Sequence, residues 1–137
     1  MSTKIFVNLP VKDLNRSVDF FSKLNYKINP QFTDDKAGCV VIGEDNYVML
    51  VTENFFKTFT QKAIADAKRS TEVIVSLSAE SRHQVDEMIE KAIECGAREY
   101  GKTQDYGWMY QRGYQDLDGH LWEIIYMDMN AARQRQA

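Results

Sequence analysis

The chain has 137 residues, of which 44% are hydrophobic and 12% aromatic, enough to fill the core of one small globular domain. Its 17 lysines and arginines and 20 aspartates and glutamates give a net charge of −3, with both signs scattered along the chain, which argues against a nucleic-acid partner. The opening residues lack a signal-peptide layout and no apolar run approaches the roughly 18 residues needed to cross a bilayer, so we expect a cytoplasmic protein without a membrane partner.

The first half of the chain has the pattern of a strand, a helix and three strands. Residues 4–9 have strand composition, and residues 13–24 place apolar side chains at helical spacing. Three β-rich runs follow at about 26–33, 38–43 and 46–52. Glu44 and Asp45 form a plausible hairpin turn between the last two, so the predicted order is βαβββ.

A connecting segment, residues 54–71, follows this half. It carries Phe55, Phe56 and Phe59 and then an Ala/Lys stretch for which we predict a helix. One interpretation is that the phenylalanines attach a linker helix to the sheet edge. The alternatives are a lid or a dimer contact.

The second half repeats the order of the first. Residues 72–78 read as a strand, and residues 81–95 as a helix with Ser81 and Gln84 in a capping box and Gly96 after its end. Three more strands are predicted at about 98–103, 108–115 and 120–127, with residues 116–119 as the final hairpin turn.

The sequence therefore predicts an α+β chain built from two βαβββ modules. Module 1 covers about residues 1–53 and module 2 about residues 72–130, with 54–71 between them and a tail at 131–137.

Two motifs connect this pattern to a known family. The opening motif V-x-D-L-x-x-S-x-x-F-F consists of Val11, Asp13, Leu14, Ser17, Phe20 and Phe21. The closing D-L-D-G-x-x-W-E consists of Asp116, Leu117, Asp118, Gly119, Trp122 and Glu123, with leucine where proline is usual. Over nearly its whole length the chain resembles the vicinal oxygen chelate superfamily (glyoxalase, bleomycin resistance protein and extradiol dioxygenase), especially the bacterial branch labelled predicted lactoylglutathione lyase or extradiol-dioxygenase-like. This resemblance implies a single domain, residues 1–137, with cupped mixed sheets.

Metal-using members of that superfamily hold a divalent ion with one inward side chain from each of the first, fourth, fifth and eighth strands. Here those positions fall on Phe6, Leu50, Glu72 and Glu123. Only the two glutamates could bind a metal, which is too few for a tight Zn²⁺, Ni²⁺ or Fe²⁺ site. We expect no cofactor, except for a divalent cation bound weakly by Glu72 and Glu123.

Histidines and nucleophiles offer no alternative catalytic centre. His83 lies on the polar side of its predicted helix, and strand alternation points His120 away from Glu123. A reducing compartment would keep Cys39 and Cys95 as thiols, and neither has a histidine placed beside it by a motif. No G-x-S-x-G elbow or glycine-rich phosphate loop occurs.

Glu123 is the leading functional residue and the candidate catalytic group. If it faces inward among Phe6, Leu50 and Ile74, burial should raise its pKa, and it could act as a general base or anchor a ligand amine. Alternatively, it pairs with an inward Arg112 or a tyrosine hydroxyl and serves only structure. The remaining predicted ligand-binding residues are Asn8, Glu72, Tyr110 and Arg112.

Three functions remain open. The first is a homodimeric protein that binds a small organic ligand in an apolar cleft without a standard metal site. The second is a metal-dependent lyase, isomerase or dioxygenase, which Phe6 and Leu50 oppose because the metal stabilises the charged intermediate in such chemistry. The third is a protein-interaction domain whose sheet is filled by its own side chains.

Overall fold

The computed structural model of the chain describes residues 2–131 and divides into two compact units, Met1–Asp66 and Ala67–Ala137. Each unit packs a mixed sheet with at least one helix, so the predicted α+β class is confirmed. The division falls inside the predicted connecting segment, whereas the predicted tail lies, apart from Ala131, outside the described residues. Within residues 2–131, no helix is both long and apolar enough to span a membrane.

The N-terminal unit has the predicted order of elements. Its sheet follows the order β1-β4-β3-β2, with β1 parallel to β4 and the other neighbours antiparallel. The elements are β1 (Ile5–Val11), α1 (Leu14–Lys23), β2 (Lys27–Asn29), a 3-10 turn (Pro30–Phe32), β3 (Ala37–Val41), β4 (Asn46–Thr52) and the short α2 (Glu53–Phe56).

Helix α1 begins where the Asp13 carboxylate accepts the backbone N–H of Arg16. Its buried side chains lie against the sheet, and a methyl group on Gly38 would come within 2.6 Å of Val18 of this helix. Leu50 is paired with Gly38 across β3 and β4, so it lies on this α1 face and is fully buried. Alternate residues of the strands form the reverse face.

The predicted helix in the Ala/Lys stretch is wrong. After α2, residues 57–72 form turns and bends, although Phe55 and Phe59 do pack edge to face with ring centroids 5.0 Å apart. Ile64 is the only large apolar residue of the stretch 61–71. A short helix needs an apolar face to bury, because propensity alone does not stabilise it.

The C-terminal unit starts with β5 (Ile74–Ser78) and α3 (Arg82–Glu94) and continues with four strands. Its sheet has the order β5-β9-β8-β6, and β7 also pairs with β8. The predicted strand 98–103 is in fact two short strands, because the chain turns at Gly101 with φ +75°. The strands are β6 (Arg98–Glu99), β7 (Gln104–Asp105), β8 (Met109–Gln115) and β9 (Leu121–Met127).

The predicted cap of α3 is confirmed. The Ser81 hydroxyl accepts the backbone N–H of Gln84 at 3.0 Å, and the Gln84 side chain accepts the N–H of Glu80 at 2.6 Å. Val85, Ile89 and Ala92 are buried. The sheet therefore has an α3 face and a reverse face.

The final hairpin turn is organised around the buried carboxylate of Asp116. It accepts the backbone N–H groups of Asp118 and His120 and the indole N–H of Trp122, the last at 2.9 Å. Burial raises the pKa of Asp116, while the nearby His120 and these hydrogen bonds act to lower it. Gly119, at φ +93°, completes the turn directly against the backbone of Ala67 and Lys68.

An exposed ion pair joins α3 to β7 and makes stability dependent on pH. Arg82 donates two hydrogen bonds to Asp105, at 2.7 and 2.8 Å. These bonds lower the pKa of Asp105 from 3.8 to about 2, and the hydrogen bond from the Gly107 N–H is the second largest cause of this shift. A carboxyl whose pKa is lower in the folded state stabilises the fold above its unfolded pKa. This stabilisation is lost as the pH falls from about 4 to about 2.

We therefore expect Asp105→Asn to decline less steeply in stability between pH 4 and pH 2 than the wild type. Urea denaturation at pH 5 and pH 2.5 measures the difference. Asp35→Asn is the matched control, because Asp35 is exposed and forms no hydrogen bond within residues 2–131. Parallel pH profiles for the wild type and Asp105→Asn would contradict the expectation.

Candidate functional site

The candidate site lies on the reverse face of the C-terminal sheet, around Glu123 of the central strand β9. Glu123 is paired with Ser76 of β5 on one side and with Gly113 of β8 on the other. Strand alternation places Gln111, two residues before Gly113, on the same face. Three strands therefore meet beside a single carboxylate. β5 contributes Ser76, β8 contributes Gln111, and Gly113 of β8 has no side chain at this point.

Two neutral donors fix the Glu123 carboxylate. The Ser76 hydroxyl donates to Oε1 at 2.6 Å and the Gln111 amide donates to Oε2 at 2.8 Å. A carboxylate has about four lone-pair positions, so two remain for a ligand. Within residues 2–131 no lysine, arginine or histidine forms an ion pair with it. Its negative charge therefore has no cationic partner there.

Gly113 lets the backbone pack closely beside this carboxylate. A methyl group at this position would lie 3.1 Å from the carbonyl oxygens of Trp122 and Tyr100 and 3.9 Å from the Glu123 side chain. Tyr100 also donates its backbone N–H to the Gly113 carbonyl at 3.0 Å. The chain can approach β8 this closely because Gly113 has no side chain, and the loop after β6 consequently passes beside Glu123.

The result is a cleft of about 180 Å³, which we call the Glu123 cleft. It is far larger than the roughly 10–15 Å³ that one water requires but smaller than the roughly 300–1,000 Å³ of sites for drug-sized ligands. Its walls are formed by Ile74, Tyr100, Gly101, Lys102, Gln104, Gln111, Gly113, Leu121, Trp122 and Glu123. The space suits a ligand of modest size.

Tyr110 and Arg112 lie on the opposite side of this sheet, although the sequence predicted them in the site. The Tyr110 hydroxyl donates to Asp86 of α3 at 2.7 Å. Arg112 contacts Asp86, Glu90 and Glu99 at 2.8 to 3.0 Å, and its side chain is only 11% exposed. The hydrogen bonds that Arg112 donates to these carboxylates, Glu99 first, raise the pKa of Arg112. The alternative that Arg112 neutralises Glu123 is therefore wrong.

Glu72 is also separate from Glu123. It precedes β5, and its carboxylate contacts Nδ1 of the buried His120 at 2.7 Å. The residue of β5 that stands level with Glu123 is Ser76, so a site formed by Glu72 and Glu123 together is not what the structure shows. His120 points away from Glu123, as strand alternation predicts.

The residues predicted in the N-terminal unit occupy two different faces. Leu50 faces α1 in the core, not the reverse face, so its predicted inward position is wrong. Phe6 and Asn8 do lie on the reverse face, level with Tyr47 and Met49 of β4. Phe6 is 47% exposed and stacks on the Tyr47 ring at 4.9 Å between centroids.

These donor sets do not fit the four-ligand metal site that the superfamily resemblance implies. In the C-terminal unit, Glu123 has only Ser76 and Gln111 as side-chain partners, and in the N-terminal unit the corresponding face presents Phe6 and Met49. Residues 2–131 contain no group of three or more His, Cys, Asp or Glu side chains close enough to share an ion. Tight transition-metal binding requires more nitrogen, oxygen or sulfur ligands than this.

Five residues of the cleft were not predicted from the sequence: Ser76, Tyr100, Lys102, Gln111 and Gly113. Two of them carried a readable signal, because the 116–119 turn sets Gly113 opposite Glu123 and places Gln111 on the same face. The position of Ser76 depends on the parallel register of β5 and β9, and that of Tyr100 and Lys102 on the turn at Gly101. These positions cannot be predicted from a local sequence motif.

Comparison with protein families matches part of the N-terminal unit. Residues 3–43 match the family described as bleomycin resistance protein-like N-terminal. This region contains β1, α1, β2 and β3. No curated protein matches the chain.

Solved structures resemble nearly the whole chain. The hypothetical protein SA1046 from S. aureus is 29% identical, with 92% of this chain and 95% of that chain covered and a TM-score of 0.77. A glyoxalase/bleomycin resistance protein/dioxygenase family enzyme from Burkholderia phytofirmans is 11% identical, with coverages of 92% and 99% and a TM-score of 0.75. The fosfomycin resistance protein FosX from Listeria monocytogenes is 19% identical, with coverages of 92% and 91% and a TM-score of 0.65. The family match and the shared fold support the predicted superfamily assignment.

Proposed function

We propose that this chain of the glyoxalase/bleomycin resistance/dioxygenase superfamily binds a small organic molecule in the Glu123 cleft, without a standard metal site. The observation that carries the proposal is the carboxylate of Glu123, which Ser76 and Gln111 hold in place and which has no cationic partner within residues 2–131. This carboxylate lines a cleft of about 180 Å³. Clefts with a few convergent polar groups among apolar walls are the usual form of a small-molecule site.

The walls support binding rather than simple packing. Ile74 is 49% exposed and Tyr100 is 53% exposed, so both present apolar surface at the mouth of the cleft. Glu123 is also the group on this face that could take a proton from a bound substrate, and it remains the proposed catalytic residue should the molecule be turned over.

A blocked variant tests the proposal. We expect Ile74→Trp to fill the mouth of the cleft with an indole ring and to abolish binding of fragments that shift the backbone amide signals of Gly101 and Gly113. The measurement is a two-dimensional NMR screen of a small fragment library against the full chain.

Met127→Trp is the matched control, because Met127 is 42% exposed and belongs to the same reverse face but does not line the cleft. It should retain the fragments that the wild type binds. The proposal fails if no fragment shifts Gly101 or Gly113 in the wild type, or if the fragments that do so bind equally well to Ile74→Trp.

The predicted partners of the protein are a small-molecule ligand and a second copy of the chain. Half-exposed Ile5, Phe6 and Ile74 on β1 and β5 provide apolar surface for such an association. Native mass spectrometry of protein purified without chelator tests these partners, because the mass of the native species reveals a homodimer, a co-purified organic ligand or a weakly bound divalent cation. A cytoplasmic location stays a prediction.

A further inference from the structure

Two residues of opposite charge line the Glu123 cleft. Glu123 provides the negative charge at the floor, and Lys102 provides a positive charge from the loop between β6 and β7. Within residues 2–131 the Lys102 ammonium forms no ion pair or hydrogen bond, so the two charges do not neutralise each other. A ligand with one charge alone would meet one attractive and one repulsive group.

The remaining walls define the body of the ligand. Tyr100 lines the cleft from the loop between β6 and β7, as Lys102 does, and is 53% exposed. Ile74 of β5 and Leu121 of β9 provide aliphatic surface. Flat apolar groups pack well on such surfaces. The volume of about 180 Å³ limits the ligand to a compact molecule.

We infer that the cleft selects a small zwitterion with a flat apolar group, whose protonated amine binds Glu123 and whose carboxylate or similar anion binds Lys102. This inference rests on the proposed binding function and assigns its ligand class. Ser76 and Gln111 are positioning residues, because each donates to one carboxylate oxygen of Glu123 and leaves the second lone pair of that oxygen for the amine. Amino acids with aromatic side chains belong to this class.

A set of four ligands separates the two charges. L-Phenylalanine carries both, phenethylamine only the cation, 3-phenylpropanoate only the anion, and 2-phenylethanol neither. Their dissociation constants come from NMR titrations of the full chain in which the amide signals of Gly101 and Gly113 report the site. L-Phenylalanine should bind most tightly, by about threefold or more over each of the others.

Two charge-removing variants identify the group that each charge contacts. Glu123→Gln should weaken phenylalanine and phenethylamine by about tenfold, since a charge-assisted hydrogen bond is lost, and should leave phenylpropanoate unweakened. Lys102→Gln should weaken phenylalanine and phenylpropanoate by about threefold, because this ammonium is exposed, and should not weaken phenethylamine. Glu44→Gln and Lys62→Gln make the same charge changes in the N-terminal unit and should change nothing.

Each other outcome overturns the inference. If 2-phenylethanol or a singly charged ligand binds as tightly as L-phenylalanine, measured by the amide signal of Gly113, the zwitterion class is rejected. The proposal that the cleft binds a small molecule would still stand. Weakening of all four ligands by either variant would mean that the variant damages the cleft, not a specific contact. If none of the four shifts Gly101 or Gly113, the ligand class is wrong, and the fragment screen with Ile74→Trp separately decides whether the cleft binds anything.

Discussion

Gly119→Ala should lower the free energy of unfolding of the C-terminal unit by about 3 kcal/mol. Gly119 has φ +93°, where a side chain is strained, and an added methyl group would lie 2.7 Å from the backbone nitrogen of Lys68 and 2.8 Å from the carbonyl carbon of Ala67. Backbone atoms cannot rotate away as the end of a long side chain can. Strain and overlap therefore add.

Urea denaturation followed by tryptophan fluorescence measures this loss, because both tryptophans, Trp108 and Trp122, belong to the C-terminal unit. Gly107→Ala is the matched control. Gly107 has φ +81° but no atom within 4 Å of the added methyl group, so only the strain of about 1 kcal/mol applies. Equal losses for the two variants would show that the contact with Lys68 yields without cost.

Arg112→Leu should destabilise the same unit by about 2 to 3 kcal/mol. The guanidinium is nearly buried and holds Asp86, Glu90 and Glu99 together, so its removal leaves three carboxylates close to one another. The loss is smaller than the roughly 3–5 kcal/mol of a fully buried pair because these carboxylates reach water. Chemical denaturation at pH 7 measures it.

Arg82→Leu is the control for Arg112→Leu. Arg82 also pairs with a carboxylate, Asp105, but both side chains are more than 40% exposed, and we expect only a small change. A second measurement in 1 M NaCl adds a specific signature. Salt screens both the contacts of Arg112 and the repulsion among the three carboxylates, so the gap between the wild type and Arg112→Leu should narrow there. A gap that is independent of salt would assign the effect to lost packing.

The order of the elements was predictable because each depends on local chemistry. Asp13 and Ser81 cap their helices, and the 116–119 turn contains the residues that a tight hairpin needs. The exception, the Ala/Lys stretch, had helix-forming residues but no apolar stripe to hold a helix in place.

The faces of the strands were harder to predict, because a shift of one residue moves every side chain to the other side of a sheet. In β4, Met49 and Leu50 are both apolar, so composition could not decide which faces α1; the structure buries Leu50. In β8, the charge of Arg112 suggested a functional site, yet that charge serves the acidic residues of α3. Glu123 could be assigned to its face by alternation alone, but its partner Ser76 could not.

The alternation of β8 also bears on how such a chain can change in evolution. Arg112 stabilises the fold on one side of the strand, while Gln111 and Gly113 shape the cleft on the other. Substitutions of Gln111 that alter ligand preference can therefore occur on the cleft side without removing the contacts that keep the sheet on its helix. A scaffold arranged in this way can acquire new specificities at little cost in stability, which is a physical reason for one fold to host many unrelated activities.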